Sequence, residues 1–182
     1  IMLTSEDLSR FADRLIEAEK ERRPIPPLVD QCDLTIPDAY KVQLEVVGKK
    51  RRRGQACVGK KIGLTSKSMQ RAFNVDQPDY GHIMSDMVLN EGSPIRLSEL
   101  IQPKIEAEIG FLLDRDLAGP GITAPEVLRC TAGVLPTFEV IDSRIVDWNI
   151  QIEDSIADNA SIGRVILGAP MWNVDGLDMR TV

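Results

Sequence analysis

From Lys104 to Leu113 the chain alternates with a period of two. Ile105, Ala107, Ile109, Phe111 and Leu113 are apolar, while Glu106 and Glu108 occupy the opposite face. Only a β-strand sends successive side chains to opposite faces in this way, so the fold must contain a sheet. The two glutamates then project in parallel with Cα atoms roughly 6.5–7 Å apart, a gap that two carboxylates can close onto one cation. A half-exposed strand with its glutamates in water explains this segment alone equally well.

A second segment shifts that balance. Val134 to Ile141 is apolar except for Thr137 and a single charge, Glu139, and such a run marks a strand buried on both faces. A buried carboxylate needs a cation or close hydrogen-bond donors, because leaving it unpaired is costly. Lys61 or Arg144 could satisfy Glu139 as a structural ion pair. Three acids on adjacent strands suit a hard, oxygen-seeking ion better. With no histidine nearby in sequence and no cysteine pair, that ion is expected to be Mg²⁺ or Mn²⁺, with about three octahedral positions left for water or substrate.

Before this core, the chain reads as helical. Thr4 with Asp7 has the form of a capped start, and Leu8, Phe11, Leu15 and Ala18 follow at helical spacing to about Lys20. Pro24, Pro26 and Pro27 interrupt. A second helix is expected from Thr35, with Tyr40, Leu44 and Val47 on one face and Gly48 as its stop. The basic run Lys49 to Arg53 reads as a solvated helix end, since it lacks aromatic interleaving and cations favour a helix C-terminus. From Val58 onward, short apolar stretches broken by glycine and proline imply a β-rich unit. The expected division is therefore a helical segment, 1–54, and a core, 55–182. Within the core, Thr65 is the expected N-cap of a short helix, Gln77-Pro-Asp-Tyr-Gly81 a turn, and Thr123-Ala-Pro-Glu126 a capping box. Residues 145–157 fit helix or strand and favour helix.

Charge and cysteine usage exclude several classes. The net charge of −6 argues against nucleic acid as the main partner. Three scattered cysteines form neither a disulfide framework nor a zinc ribbon, which suits a reducing cytoplasm, and no apolar run is long enough to span a bilayer. His82 is the only histidine, and no nucleophile elbow exists, so covalent catalysis is disfavoured and His82 is expected at a pocket wall or the surface. Lys61, between Gly59 and Gly63, could hold an anionic carboxylate. Asp79, in an expected tight turn, and Asp158, in the polar cluster Asp158-Asn-Ala-Ser161 ahead of an apolar strand Val165 to Leu167, are candidate general acids or bases. Each could equally just close a turn.

Lys61-Ile-Gly-Leu-Thr-Ser, Gln77-Pro-Asp-Tyr-Gly81, Gln102-Pro-Lys-Ile-Glu-Ala-Glu108, Glu139-Val-Ile-Asp-Ser-Arg144 and Ala157-Asp-Asn-Ala-Ser161 occur in this order. Together they resemble the 2-keto-4-pentenoate hydratase group of the fumarylacetoacetate hydrolase superfamily. The resemblance implies an α+β fold, a mixed β-roll or flattened barrel behind N-terminal helices. It also implies a metal site of an E-x-E pair plus one later glutamate, which falls on Glu106, Glu108 and Glu139. The family's core runs on past Val182, so its closing strands are expected to be missing. The implied reaction hydrates a 2-hydroxy-2,4-dienoate, through its 2-oxo tautomer, to a 4-hydroxy-2-oxo acid in meta-cleavage catabolism of aromatics. Lys61, Asp79 and Asp158 are the expected catalytic groups, and Lys61, Ser161 and Arg144 the substrate-binding ones. A homo-oligomer is expected, associated with a pathway decarboxylase or aldolase. Asp79 in the Q-P-D-Y-G motif and Asp147-Trp148 after Arg144 resemble the hydratases more than the 2-oxo-3-hexenedioate decarboxylases. The decarboxylase and a non-catalytic partner subunit are the alternatives.

Overall fold

In the computed structural model, which describes residues 3–175 and 177–178, two capped helices open the chain. Helix α1 (Ser5–Glu21) starts at a closed capping box: Thr4 Oγ1 accepts from the Asp7 N–H while the Asp7 carboxylate accepts from the Thr4 N–H. Helix α2 (Ile36–Arg52) starts at Thr35, as its sequence predicts, but does not stop at Gly48. A mid-helix glycine costs only about 1 kcal/mol. Here the following lysines anchor the last turn, with Lys49 Nζ 2.6 Å from Asp13 and Lys50 Nζ 2.6 Å from Glu19. The basic run is therefore partly a buried tie between α2 and α1, since Lys50 is buried. The inward face of α2 also differs from expectation. It carries Ala39, Val42, Gln43, Val46 and Val47, leaving Leu44 exposed.

The buried stripes of α1 and α2 meet Leu28, Ile145, Ile156 and Ala157 in the main core. A smaller cluster joins Val47 to Met84, Met87, Ile162 and Val165. Helical stripes pack against residues that flank the candidate acids, so the N-terminal helices brace the β-rich part.

Two sheets make up that part, giving a mixed α+β fold. Strands β1 (Cys57–Gly63) and β2 (Asp79–Met84) form an antiparallel pair. Strands β3 (Val88–Asn90), β4 (Lys104–Leu113), β5 (Thr131–Ile141) and β6 (Ile162–Leu167) form the second sheet in the order β3-β6-β5-β4. Only β3 and β6 run parallel. Asp79 thus begins a strand rather than sitting in a tight turn. Strand β4 is an edge with little cover: Ile105 and Phe111 are exposed, as is Phe138 on β5, so neither strand is buried on both faces over its length.

The shorter helices are α3 (Lys67–Ala72), capped by Ser66 rather than Thr65, α4 (Ala124–Arg129), with the expected capping box, and α5 (Ile152–Ala157). The ambiguous stretch 145–157 divides into a 3₁₀ turn, Val146–Trp148, and α5. Among the described residues no helix is long and apolar enough to cross a membrane.

After α5 the chain passes through three consecutive residues in the left-handed region, Asn159, Ala160 and Ser161, with φ of 57°, 51° and 53°. Non-glycine residues pay for that conformation, and such turns persist where their surroundings hold them. Here Asn159 clips onto β2, accepting from the His82 N–H at 2.7 Å and donating to the His82 carbonyl at 2.9 Å. Gly81 permits the approach, because a Cβ there would lie 2.5 Å from the Asn159 carbonyl oxygen.

His82 itself is buried against this turn, not at a pocket wall, and its Nδ1 has no partner. Burial, aided by the Lys60 charge, pushes its pKa down to about 4. A histidine whose folded value lies below its unfolded value near 6.5 contributes stability above that pH and loses it as pH falls towards about 4. Between pH 7 and pH 4 the parent protein is expected to lose about 3 kcal/mol more than His82→Gln. Urea denaturation of both proteins at the two pH values checks this; parallel losses would refute it.

Candidate active site

The register of β4 against β5 places Glu106 directly opposite Glu139 and Glu108 opposite Thr137. Paired residues share a face, so all three glutamates point to one side of the sheet. Oxygen atoms from the three carboxylates lie within 4.8 Å of one another. Glu106 and Glu108 are exposed and Glu139 is buried.

Two of these acids, Glu139 and Glu108, are held back from ionising. Burial pushes the Glu139 carboxyl up to about 7, against the pull of Lys61, and the charges of Glu106 and Glu108 raise it further. Burial and the Glu106 charge raise Glu108 as well. Lys61, on β1, supplies the cation nearest to Glu139: its Nζ lies 3.2 Å from Oε1. That contact is an ion pair without hydrogen-bond geometry, and Oε1 remains a buried oxygen with no hydrogen-bond partner. The ion pair read as an alternative from the sequence is therefore real, with Lys61 and not Arg144 as its cation. Lys61 is thus shared, since its charge also draws on Glu108. Three hard carboxylate donors facing a single ammonium fit a divalent cation, which supplies further positive charge.

Lys61 also donates to the Ala160 carbonyl at 3.1 Å, so the left-handed turn after α5 fixes its ammonium. Asp79 stands close by. It is 4% exposed, and its Oδ2 is 3.5 Å from the Ser155 hydroxyl. Burial raises its pKa, while Lys61 and Ser155 oppose the shift. Gly63 makes room, because a Cβ there would collide with Asp79 Oδ1. Lys61, Gly63, Asp79 and Gly81 share one face of the β1-β2 pair through the pairings Lys61↔Gly81 and Gly63↔Asp79.

Three expected site residues lie in different surroundings. Arg144 and Asp158 are buried and paired to each other, Nε to Oδ1 at 2.5 Å. Arg144 also donates to the carbonyls of Asp142, Ile162 and Asp158. The guanidinium expected to bind substrate is thus committed to acceptors of the protein itself. Asp158, expected as a catalytic group, is its counter-ion and also accepts from the Arg144 N–H. Ser161 is buried and its hydroxyl turns to Asp158 at 3.4 Å. A buried guanidinium draws in nearby acceptors, which ties Arg144 to Asp158, and Ser161 follows through Asp158.

Sequence reasoning missed Gly63, Ser155 and the Ala160 carbonyl. Gly63 stood in the quoted Lys61-Ile-Gly motif, whereas a backbone carbonyl leaves no trace in residue type. One surface depression, about 570 Å³, is lined by Asp30, Gln31, Cys32, Asp33 and Glu153 and contains none of the site residues.

No protein-family model matches the chain. A 2-hydroxypent-2,4-dienoate hydratase of Pseudomonas putida is 44% identical over 176 residues, covering 96% of this chain and 79% of that protein. A 2-keto-4-pentenoate hydratase of Paraburkholderia xenovorans is 41% identical over 181 residues, covering 99% of this chain and 67% of that protein. Among solved structures, 4-oxalocrotonate decarboxylase from Pseudomonas putida G7, complexed with magnesium and adipate, superposes with a TM-score of 0.93 at 36% identity. The match covers 98% of this chain and 68% of that one.

Proposed function

The chain belongs to the 2-keto-4-pentenoate hydratase family, a family of hydro-lyases, and from that premise we propose that it hydrates a 2-hydroxy-2,4-dienoate, through its 2-oxo tautomer, to a 4-hydroxy-2-oxo acid. Glu106, Glu108 and Glu139 would hold a divalent cation, Mg²⁺ or Mn²⁺, within the roll-like core that the superfamily implies. The observation that carries this reading is the convergence of oxygens from three carboxylates, one of them buried, within 4.8 Å of one another. Bound there, the cation would supply positive charge to polarise the 2-oxo and carboxylate oxygens of the substrate.

The remaining roles fall to this chain's own residues. Lys61, held by the Ala160 carbonyl, presents its ammonium beside the glutamates, where it attracts a substrate carboxylate. Asp79 would move the proton: it is buried beside Lys61, and burial raises its pKa towards the working range of a general acid or base. The pairing of Asp158 with Arg144 favours Asp79 over Asp158 for this role.

The likeness to a decarboxylase at TM-score 0.93 favours one second reading, decarboxylation of a 2-oxo-3-hexenedioate at the same site. A paired assay with Mg²⁺ separates the two. Incubation with 2-hydroxypenta-2,4-dienoate is expected to yield 4-hydroxy-2-oxopentanoate and EDTA to abolish that turnover. Release of CO₂ from the hexenedioate without hydration of the dienoate would overturn the hydratase reading. A non-catalytic subunit would turn over neither.

A further inference from the structure

Gln43 is a polar side chain on the apolar face of α2, beside Val42 and Val46 and fully buried. Its Nε2 donates to two carbonyls, Tyr80 O and Ile156 O, both at 2.9 Å. Its Oε1 has no partner. Two carbonyls facing one carboxamide fix its orientation, since an oxygen turned towards them would be repelled. Burying such a group with one atom unsatisfied costs stability, so the apolar core does not explain it.

The two carbonyls have a common property. Tyr80 directly follows Asp79 at the start of β2, and Ile156 directly follows Ser155 on α5. Asp79 and Ser155 approach each other at 3.5 Å, a long contact that small movements of either backbone would break. No other hydrogen bond from α2 reaches both elements among the described residues. We infer that Gln43 is a positioning residue for the Asp79 and Ser155 pair, clamping the strand that carries the acid to the helix that carries the hydroxyl. This rests on the reading of Asp79 as the proton-moving group.

A double-mutant cycle on the Mg²⁺-loaded enzyme tests it. Gln43→Met keeps the length and apolar packing of the side chain while removing both donors. It is expected to lower kcat on the dienoate about 10- to 100-fold, the effect of displacing a reacting group by a fraction of an ångström to an ångström. KM and calorimetric Mg²⁺ affinity are expected to stay within roughly twofold, because the glutamates lie on other strands. In an Asp79→Asn background, Gln43→Met is expected to lower kcat no further. If Asp79→Asn lowers kcat and Gln43→Met adds its full factor on top, the inference fails alone. If Asp79→Asn leaves kcat unchanged, the reading of Asp79 fails and the inference with it. A parallel fall of kcat and Mg²⁺ affinity in Gln43→Met would mark a merely structural role and overturn it. Should that variant not fold, Gln43→Asn, which retains the carboxamide but is too short to reach both carbonyls, is read by the same criteria.

Discussion

Arg144→Met is expected to lower folding stability by about 3–5 kcal/mol, the cost of leaving one member of a buried ion pair alone. Both partners are inside, with Arg144 5% and Asp158 1% exposed. Burial pushes the Asp158 carboxyl up to about 6 against the pull of the guanidinium, so it is ionised at neutral pH. Removing Arg144 strands that charge and also frees the carbonyls of Asp142 and Ile162, which bracket the end of β5 and the start of β6. The pair is a weak source of net stability but a strong constraint, so Arg144→Met combined with Asp158→Leu should recover much of the loss. Equilibrium urea denaturation of the three proteins checks both statements. A single variant within about 1 kcal/mol of the parent, the range of an exposed pair, would show that the pair is not the structural tie described.

Glu139→Gln is expected to weaken Mg²⁺ binding by more than about 100-fold, beyond the 10- to 100-fold loss seen when only the group supporting a metal ligand is removed. Turnover of the dienoate should fall with it. The same change has the opposite sign for the metal-free fold. A carboxyl whose folded pKa is about 7, above an unfolded 4.5, destabilises the protein increasingly as pH rises between those values and by a constant amount above them. At pH 8 the amide removes that cost, so metal-free Glu139→Gln should be no less stable than the parent. Adding Mg²⁺ should raise the Tm of the parent by mass action and leave the variant unmoved. Thermal scans with and without Mg²⁺, together with calorimetry, read all three effects. A variant that retains Mg²⁺-dependent stabilisation would remove Glu139 from the ligand set.

Glu106, Glu108 and Glu139 were legible as a group for a local reason. Period-two alternation sets the face of β4, and a lone charge in an apolar run marks β5, so both segments declare a carboxylate without knowledge of their neighbours. Helix starts were similarly readable, because a cap is made within four residues: Thr4 with Asp7 and Thr123 with Glu126 close as expected. Stops were not. Gly48 lies inside α2 because lysines beyond it find Asp13 and Glu19 on another helix.

The chain's own pattern therefore determined that β4 and β5 are strands, that the three glutamates are candidates for one hard cation, and where the N-terminal helices begin. Tertiary structure alone decided how the other charges are shared. Lys61 reaches Glu139 while Arg144 takes Asp158, Asp79 rests against Gly63 and Ser155, and β4 lies at an edge with its apolar face exposed. The division has one physical cause. Backbone period and capping act within a few residues, whereas ion pairing and desolvation depend on distances in space between groups as far apart in sequence as Lys61 and Ala160, and composition carries no record of those distances.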